Sequence, residues 1–197
     1  MNNNLVFYAN NIDALVEQYD NALFESVHKS WLSYLPQEGT VLDIGAGSGR
    51  DARFFAKQGL TVYACEPVLP LLLKAKENAT EHDITWYQDD LPLLTQTQAL
   101  KKKFDLVLLS AVWMHLSPSE RLVSMRNIAC LLNAGGRLII TLRHGNFNDG
   151  RSAYSVSATE VNELAKANGL LVLLTTERVK DELGRNDIHW QTLVLEK

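Results

Sequence analysis

Cysteine is nearly absent. The two present among 197 residues, Cys65 and Cys130, belong to no Cys-x-x-Cys pair, and no Cys/His cluster has the spacing of a zinc site. No metal is expected, and both thiols read as small core residues. Long apolar runs are missing too: none approaches the roughly 20 residues that cross a bilayer. The opening residues, Met1-Asn2-Asn3-Asn4, have neither the basic nor the apolar stretch of a signal peptide, so the expected setting is cytoplasmic, away from membrane. Positive charge is short. Nineteen Lys and Arg against 23 Asp and Glu leave a net charge of −4, which argues against nucleic acid as the main partner, since phosphate binding needs a concentrated positive field. The one run of like charge, Lys101-Lys102-Lys103, precedes an apolar stretch and reads as a solvated loop. There is no internal repeat and no low-complexity linker. What remains is a chain with 46% apolar residues, of a size for one domain (1–197) with a substantial core.

The apolar residues fall into short periodic stretches. Ile12, Leu15, Val16, Tyr19, Leu23, Phe24, Val27, Trp31, Leu32 and Leu35 recur at close to helical spacing, predicting a helix over 12–35, whole or broken once, and stopped by Pro36 and Gly39. Strands follow at about 40–44, 61–65, 84–87, 104–110, 137–142, 170–177 and 190–195. Helices come between them: 49–58, with Gly59 at its C-terminal cap; one that starts between Pro67 and Pro70 and ends at Asn78; 117–132; and 157–168, stopped by Gly169. Ser117-Pro118-Ser119-Glu120 is a strong helix start, with a capping box and proline in the first turn. The 117–132 helix should end at Asn133-Ala134-Gly135-Gly136. This alternation predicts a doubly wound, mostly parallel α/β sheet of seven strands with helices on both faces. The last two strands have only 178–189 between them, so they form a hairpin and one of them is antiparallel.

Chemistry concentrates in Val41-Leu42-Asp43-Ile44-Gly45-Ala46-Gly47-Ser48-Gly49-Arg50, with Glu66 at the end of the next strand. Glycines at 45, 47 and 49 let the turn adopt dihedrals that a Cβ disfavours and let a ligand approach the backbone. Glu66 offers two acceptor oxygens, enough for both hydroxyls of a ribose. A dinucleotide site wants G-x-G-x-x-G, but Arg50 stands where the third glycine belongs and Gly49 comes one residue early. Asp43 would repel a pyrophosphate, yet could attract the cationic end of an amino-acid-bearing cofactor. A nicotinamide oxidoreductase is disfavoured on both counts.

The stretch resembles motif I, roughly D-x-G-x-G-x-G, of the class I S-adenosylmethionine (SAM) methyltransferases. The resemblance covers about residues 38–197 and implies a Rossmann-like SAM-binding core ending in an antiparallel hairpin, with residues 1–37 in the place of the family's variable helical cap. It implies a transferase using SAM as cofactor. Ligands in such sheets lie beyond the carboxyl ends of the strands. Asp43, Gly45, Ala46, Gly47 and Gly49 would then hold the methionine part. Glu66 would hold the ribose, with Pro67 and Val68 along the adenine. Asp89 or Asp90, with Leu91, would meet the adenine edge, Asp89 being favoured; a solvated turn is the plain alternative. Ser110 and Ala111 would touch the cofactor after the fourth strand. Arg50 either reaches the cofactor carboxylate or forms an ion pair with Asp51 or another acid.

On the acceptor side, His115 either faces the substrate or bonds a backbone carbonyl. His144 follows the fifth strand closely and is expected near the methyl end, as base or hydrogen-bond donor. Arg143 and Arg151 could grip a carboxylate or phosphate. Tyr8, Tyr19 and His28 of the cap could close as a lid, although helix packing explains Tyr19 and His28 equally well. The connection with Arg185, Asn186, Asp187, His189 and Trp190 is either a second wall or a solvated hairpin. No Asn/Asp-Pro-Pro-Tyr/Phe stretch follows the fourth strand, no Pro-Cys pair marks a cytosine-C5 nucleophile, and no acidic metal cluster of the catechol type is present. These absences favour a small-molecule acceptor, or a protein or RNA site read by other means. A SAM- or nucleoside-binding protein without transferase activity is the alternative from another class. The sequence leaves the oligomeric state open.

Overall fold

A computed structural model describes residues 3–181, 185 and 187–197; Asn186, expected in the second wall, lies outside the described residues. The chain opens with α1 (Asn3–Asn10), α2 (Ile12–Asp20) and α3 (Phe24–Val27), followed by a short 3-10 turn at Leu32–Tyr34. The 12–35 stripe is therefore divided more than once, and α1 was not foreseen. The division has a packing cause. Phe24 and Trp31 are buried over the sheet, with the Phe24 ring stacked on Phe54 at 3.7 Å between centroids, while Val16 faces a separate cluster with Val68 and Leu71. One straight helix could not reach both.

The core then alternates: β1 (Thr40–Ile44), α4 (Arg50–Lys57), β2 (Thr61–Cys65), α5 (Leu69–Glu77), β3 (Ile84–Tyr87), α6 (Thr95–Ala99), β4 (Phe104–Ser110), α7 (Pro118–Leu131), β5 (Leu132–His144), α8 (Ala158–Ala167), β6 (Leu171–Thr175), β7 (Val179–Lys180) and β8 (His189–Glu196). The sheet order is β3-β2-β1-β4-β5-β8-β6, with β7 on β8. Pairings from β3 through β5 are parallel, and β8 runs antiparallel to both β5 and β6. The expected α/β fold with an antiparallel closing strand is present. The short β7 is an addition within the connection.

Both faces of the sheet are covered. Along β4, Leu106 and Leu108 enter the core that holds Phe55 of α4, while Val107 and Leu109 enter the core with Met125 and Ile128 of α7. That period of two on a continuous apolar run is how a parallel strand is buried on both sides. Each such side chain contributes roughly 1.5–3 kcal/mol of burial. Helix α7 begins as its sequence requires: Ser117 Oγ accepts from the Glu120 N–H, and the Glu120 carboxylate accepts from the Ser117 N–H at 2.7 Å. Its end differs. Asn133–Gly136 is not a loop stop but the irregular start of β5, where Phe104 pairs with Leu132 and Leu106 already pairs with Arg137. Helix α6 was also missed; its start is held by a side chain from the preceding loop, as described next.

Candidate functional site

The strand order reverses between β1 and β4, and a cavity of about 530 Å³ opens at the carboxyl ends of the strands. That volume lies within the ~300–1,000 Å³ typical of small-molecule sites. Its floor is the glycine turn. Gly45 and Ala46 both donate N–H bonds to the Cys65 carbonyl, at 2.9 and 3.0 Å, which ties the turn to the end of β2. Gly45 has φ +72°, and a Cβ there would stand 2.7 Å from Val112. Gly45, Ala46 and Gly47 line the cavity, as expected.

Gly49 does not. It caps α4 at φ +79°, and a Cβ on it would stand 2.6 Å from the Trp86 ring and 3.3 Å from Ala75. Its lack of a side chain lets helix and sheet approach each other, so the expected cofactor contact is corrected to a packing role.

Two buried acids face the turn. Asp43 is 2% exposed, and its Oδ2 has no hydrogen-bond partner. Burial pushes its carboxyl well above the usual carboxylate range, and the neighbouring Asp51 adds to this, while Arg50 opposes it. Glu66 is held from both sides: Oε2 accepts from Gly47 N–H and Oε1 from Val68 N–H, each at 3.0 Å. Burial nevertheless raises its carboxyl to about 7. Both acids line the cavity, with Pro67 and Val68 beside Glu66.

Of the adjacent acids after β3, Asp89 is the structural one. Its Oδ1 accepts from Asp90 N–H at 3.0 Å, and its Oδ2 accepts from the Thr97 N–H and Oγ1–H, both at 2.7 Å. It thereby holds α6 in place. Among the described residues only the Asp89 carboxyl is tied up by hydrogen bonds, which makes Asp90 the more available acceptor, although both acids border the cavity. Leu91 lines it as well.

After β4, Ser110 and Ala111 reach the cavity; Ala111 sits at φ +57°, its N–H held by Thr141 Oγ1 at 2.9 Å. A left-handed alanine is strained and is kept only where its surroundings fix it. Arg50 takes the ion-pair alternative, its Nε donating to Asp51 Oδ1 at 2.6 Å, though its side chain still borders the cavity beside Asp43. On the far side of Asp51, Trp31 Nε1–H donates to His28 Nδ1 at 3.1 Å, which leaves His28 Nε2–H to donate to Asp51 Oδ2 at 3.0 Å. Burial alone would raise the Asp51 carboxyl, but His28 and Arg50 outweigh it and hold it far below the usual range. His28 is fully buried and packs rather than closing as a lid.

The other end of the cavity is made of side chains. His115 Nε2 lies 3.1 Å from the Tyr8 hydroxyl, and its Nδ1 lies 3.0 Å from Asn4 Nδ2 and 3.3 Å from the Ser152 carbonyl. His115 borders the cavity and also lies near a backbone carbonyl, so the structure is compatible with either expectation for it. Burial, helped by the charges of Arg151 and Arg143, pushes its imidazole down to about 4, so it is neutral at pH 7. Asn4 also exchanges two hydrogen bonds with the Ser152 backbone, at 2.9 and 2.7 Å, so α1 is latched to the loop after β5. Tyr8 and Tyr19 line the cavity, as do Arg143, Phe147 and Arg151.

His144 is absent from this wall. Successive strand residues point to opposite faces, and in β5 it is Thr141 and Arg143 that take the cavity side. His144 pairs across the sheet with His189, so its expected place at the methyl end is corrected.

The second wall is real: Asp181, Arg185 and Trp190 border the cavity, with Trp190 Nε1–H donating to Asp181 at 2.8 Å. Sequence reading passed over Asn4, Ser48, Asp20 and Asp181. Ser48 Oγ–H donates to Asp20 at 2.6 Å, which fastens α2 to the glycine turn, and no sequence spacing signals a pair 28 residues apart.

Residues 41–136 match the family model described as a methyltransferase domain. An uncharacterized methyltransferase of Bacillus cereus is 27% identical over 121 residues, 61% of this chain, and the chain spans about half (51%) of that relative's length. The 1,6-didemethyltoxoflavin-N1-methyltransferase of Burkholderia thailandensis, solved with its substrate and S-adenosylhomocysteine, superposes with a TM-score of 0.75 at 20% identity, covering 98% of this chain and 86% of that one. A [4+2]-cyclase, SpnF, shares the fold as well, with a TM-score of 0.68 at 18% identity, covering 90% of this chain and 80% of that one. At such identities the superpositions establish the fold alone. The matched methyltransferase domain contains the acid-and-glycine turn with Asp43 and Glu66, so in fold and in that motif the chain is similar to the class I SAM-dependent methyltransferases.

Proposed function

We propose that the cavity binds SAM and that the protein transfers its methyl group to a small-molecule acceptor seated between α1, the loop after β5 and the β7–β8 wall. The observation that carries this reading is Asp43: a buried carboxylate oxygen with no partner, on the floor of a cavity whose turn needs left-handed glycines. A buried charge without a partner is costly. A cationic amino group restores the balance, and a pyrophosphate would worsen it. The residues fit the cofactor at further points. Glu66 presents a carboxylate already oriented by two N–H groups, with lone pairs left for hydroxyl donors. Asp90 offers an acceptor at the third strand end, and Arg50 borders the floor.

SAM, when bound, supplies an activated methyl group on a sulfonium leaving group. The chain's contribution is to orient and to exclude water. The latch of Asn4 on Ser152 and of Tyr8 on His115 covers the acceptor end with α1. His115, neutral and desolvated, accepts or donates a hydrogen bond but is a weak base. The free thiols Cys65 and Cys130 fit a reducing, cytoplasmic setting; among the described residues no helix is long and apolar enough to cross a membrane.

The relation to a cyclase keeps a second reading in view, that of a SAM-binding protein with another activity or none. Calorimetric titration with SAM, S-adenosylhomocysteine and, as control, NAD tests the cofactor. Micromolar binding of the sulfur nucleosides and none of NAD is the expected result. No binding of either nucleoside to folded protein overturns the reading. Tight SAM binding without methyl transfer to any acceptor would support the second one.

A further inference from the structure

Three guanidiniums stand at the acceptor end, and they are not equivalent. Arg151 is paired with Asp149, at 2.5 and 3.0 Å, and donates to the Tyr8 hydroxyl at 3.3 Å. Arg185 is paired with Asp181, at 2.7 and 2.9 Å. Arg143 forms no ion pair with a carboxylate among the described residues, although the Asp149 charge acts on it from a distance. Its donors reach only neutral carbonyls, that of Gly145 at 2.8 Å and that of Asn146 at 3.2 Å, and its guanidinium rests on the Phe147 ring at 3.9 Å. Yet Arg143 is only 7% exposed and borders the cavity. A guanidinium has five N–H donors in a fixed fork. Two are engaged by carbonyls here, which leaves donors for a ligand. Arg151 and Arg185 lie close enough to repel the Arg143 charge.

We infer that the acceptor carries a carboxylate and that Arg143 is the residue that binds it. The inference rests on the reading of the cavity as a methyl-transfer site. A buried cation is retained at a cost unless a counter-charge joins it, and a carboxylate matches the fork with two charge-assisted bonds. Among the described residues at this end, Arg151 is paired with Asp149 and Arg185 with Asp181, so Arg143 is the guanidinium left for an anion; a single fork suits a carboxylate, and a phosphate dianion would call for more positive charge. The Phe147 ring holds this end together, with the Arg143 and Arg151 guanidiniums over it at 3.9 and 4.0 Å and the His115 ring nearly parallel at 5.6 Å between centroids. Arg143 is thus a specificity residue, which selects the acceptor by its charge.

The test uses the full chain saturated with S-adenosylhomocysteine. Hydroxy- and aminobenzoates and indole- and imidazole-carboxylates are titrated by calorimetry beside their primary amides, with inorganic phosphate and phenyl phosphate as a further arm. At least one carboxylate is expected to bind tenfold or more tightly than its amide. That advantage should vanish in R143M and persist in part in R143K, while affinity for S-adenosylhomocysteine stays within about twofold in both. Amides binding as well as acids, an acid preference that survives R143M, phosphates outcompeting carboxylates, or no member of the panel binding would each overturn the inference. Failure to bind S-adenosylhomocysteine would instead overturn the cofactor reading, so the two failures are distinguishable.

Discussion

The two ends of the cavity are built by different means. The proposed cofactor end is made of strand termini and one turn: Asp43 and Gly45 to Gly47 after β1, Glu66 after β2, Asp90 after β3 and Ser110 after β4. The proposed acceptor end is made of side chains from α1, the loop after β5 and the β7–β8 wall, tied together by Tyr8, Asn4, His115, Arg151 and Asp181. A backbone turn that cradles a ligand restricts residue type, and so leaves a pattern. A wall of side chains from distant segments restricts only the sum of their shapes and charges. The first end can stay fixed in a family while the second varies with the acceptor.

If this contrast is right, damage to the two ends separates cofactor affinity from turnover. The largest effect is expected from Asp43→Ala, which should weaken SAM binding about 100-fold, on the order of 3 kcal/mol, as for truncating one partner of a buried charge pair. Asp43→Asn should weaken SAM binding as well and yet leave the ligand-free protein as stable or more so, since it removes a carboxyl whose charged form is disfavoured by burial. Calorimetry and thermal unfolding read the two results, and wild-type affinity in both variants would remove Asp43 from the site. Gly49→Ala should cost about 2–4 kcal/mol of stability through its φ and the contact with Trp86. Gly135→Ala, at a similar φ but with open space around it, should cost about 1–2 kcal/mol. Denaturant titration compares them; equal losses would mean that the Trp86 contact is easily relieved.

At the acceptor end, His115→Ala should lower methyl transfer roughly tenfold, about the value of one positioned hydrogen bond, with SAM affinity held within threefold. Equal losses of rate and affinity would show that the two ends are not separable.

A pH dependence of similar size belongs to Glu66. Its carboxyl is raised from 4.5 to about 7 in the folded protein. Between these values the folded state holds a proton that the unfolded state has lost. The ligand-free protein should therefore lose stability as pH rises from 4.5 to 7, by up to ~1.4 kcal/mol per pH unit from this group. A ribose bound through the ionised carboxylate has the opposite preference, so SAM affinity should fall as pH drops below 7, by no more than about tenfold per unit, with proton release on binding at pH 6. Titrations in buffers of differing ionisation heat would detect that release, and its persistence in Glu66→Gln would assign it elsewhere. The smallest effect is expected from His144→Ala, within twofold of wild type in rate and affinity, because the side chain lies outside the cavity. A tenfold loss of rate would mean that the β5 alternation does not govern what reaches the substrate.

Most of the fold was legible. Strand 104–110, the Ser117 capping box and the antiparallel closing strand stand as periodicity and turn chemistry required. The errors share a cause. The stripe over 12–35 is helical in period, but nothing local says that Phe24 and Trp31 must turn toward α4 while Val16 turns toward α5. Asp89 and Asp90 are alike in sequence, and only α6, a five-residue helix with no strong signal of its own, takes up one of them.

By itself, then, the sequence determined the α/β alternation, the glycine turn, and Asp43 and Glu66 at adjacent strand ends, because each depends on period, dihedral freedom or chemical type within a few neighbouring residues. Tertiary structure alone decided that Gly49 packs, that His144 faces away, and that, among the described residues, Asp90 is the more available acid and Arg143 has no ion-pair partner. Those outcomes depend on which segments the fold packs against a side chain, such as Trp86 against Gly49 and Thr97 against Asp89, and local propensity carries no record of that packing.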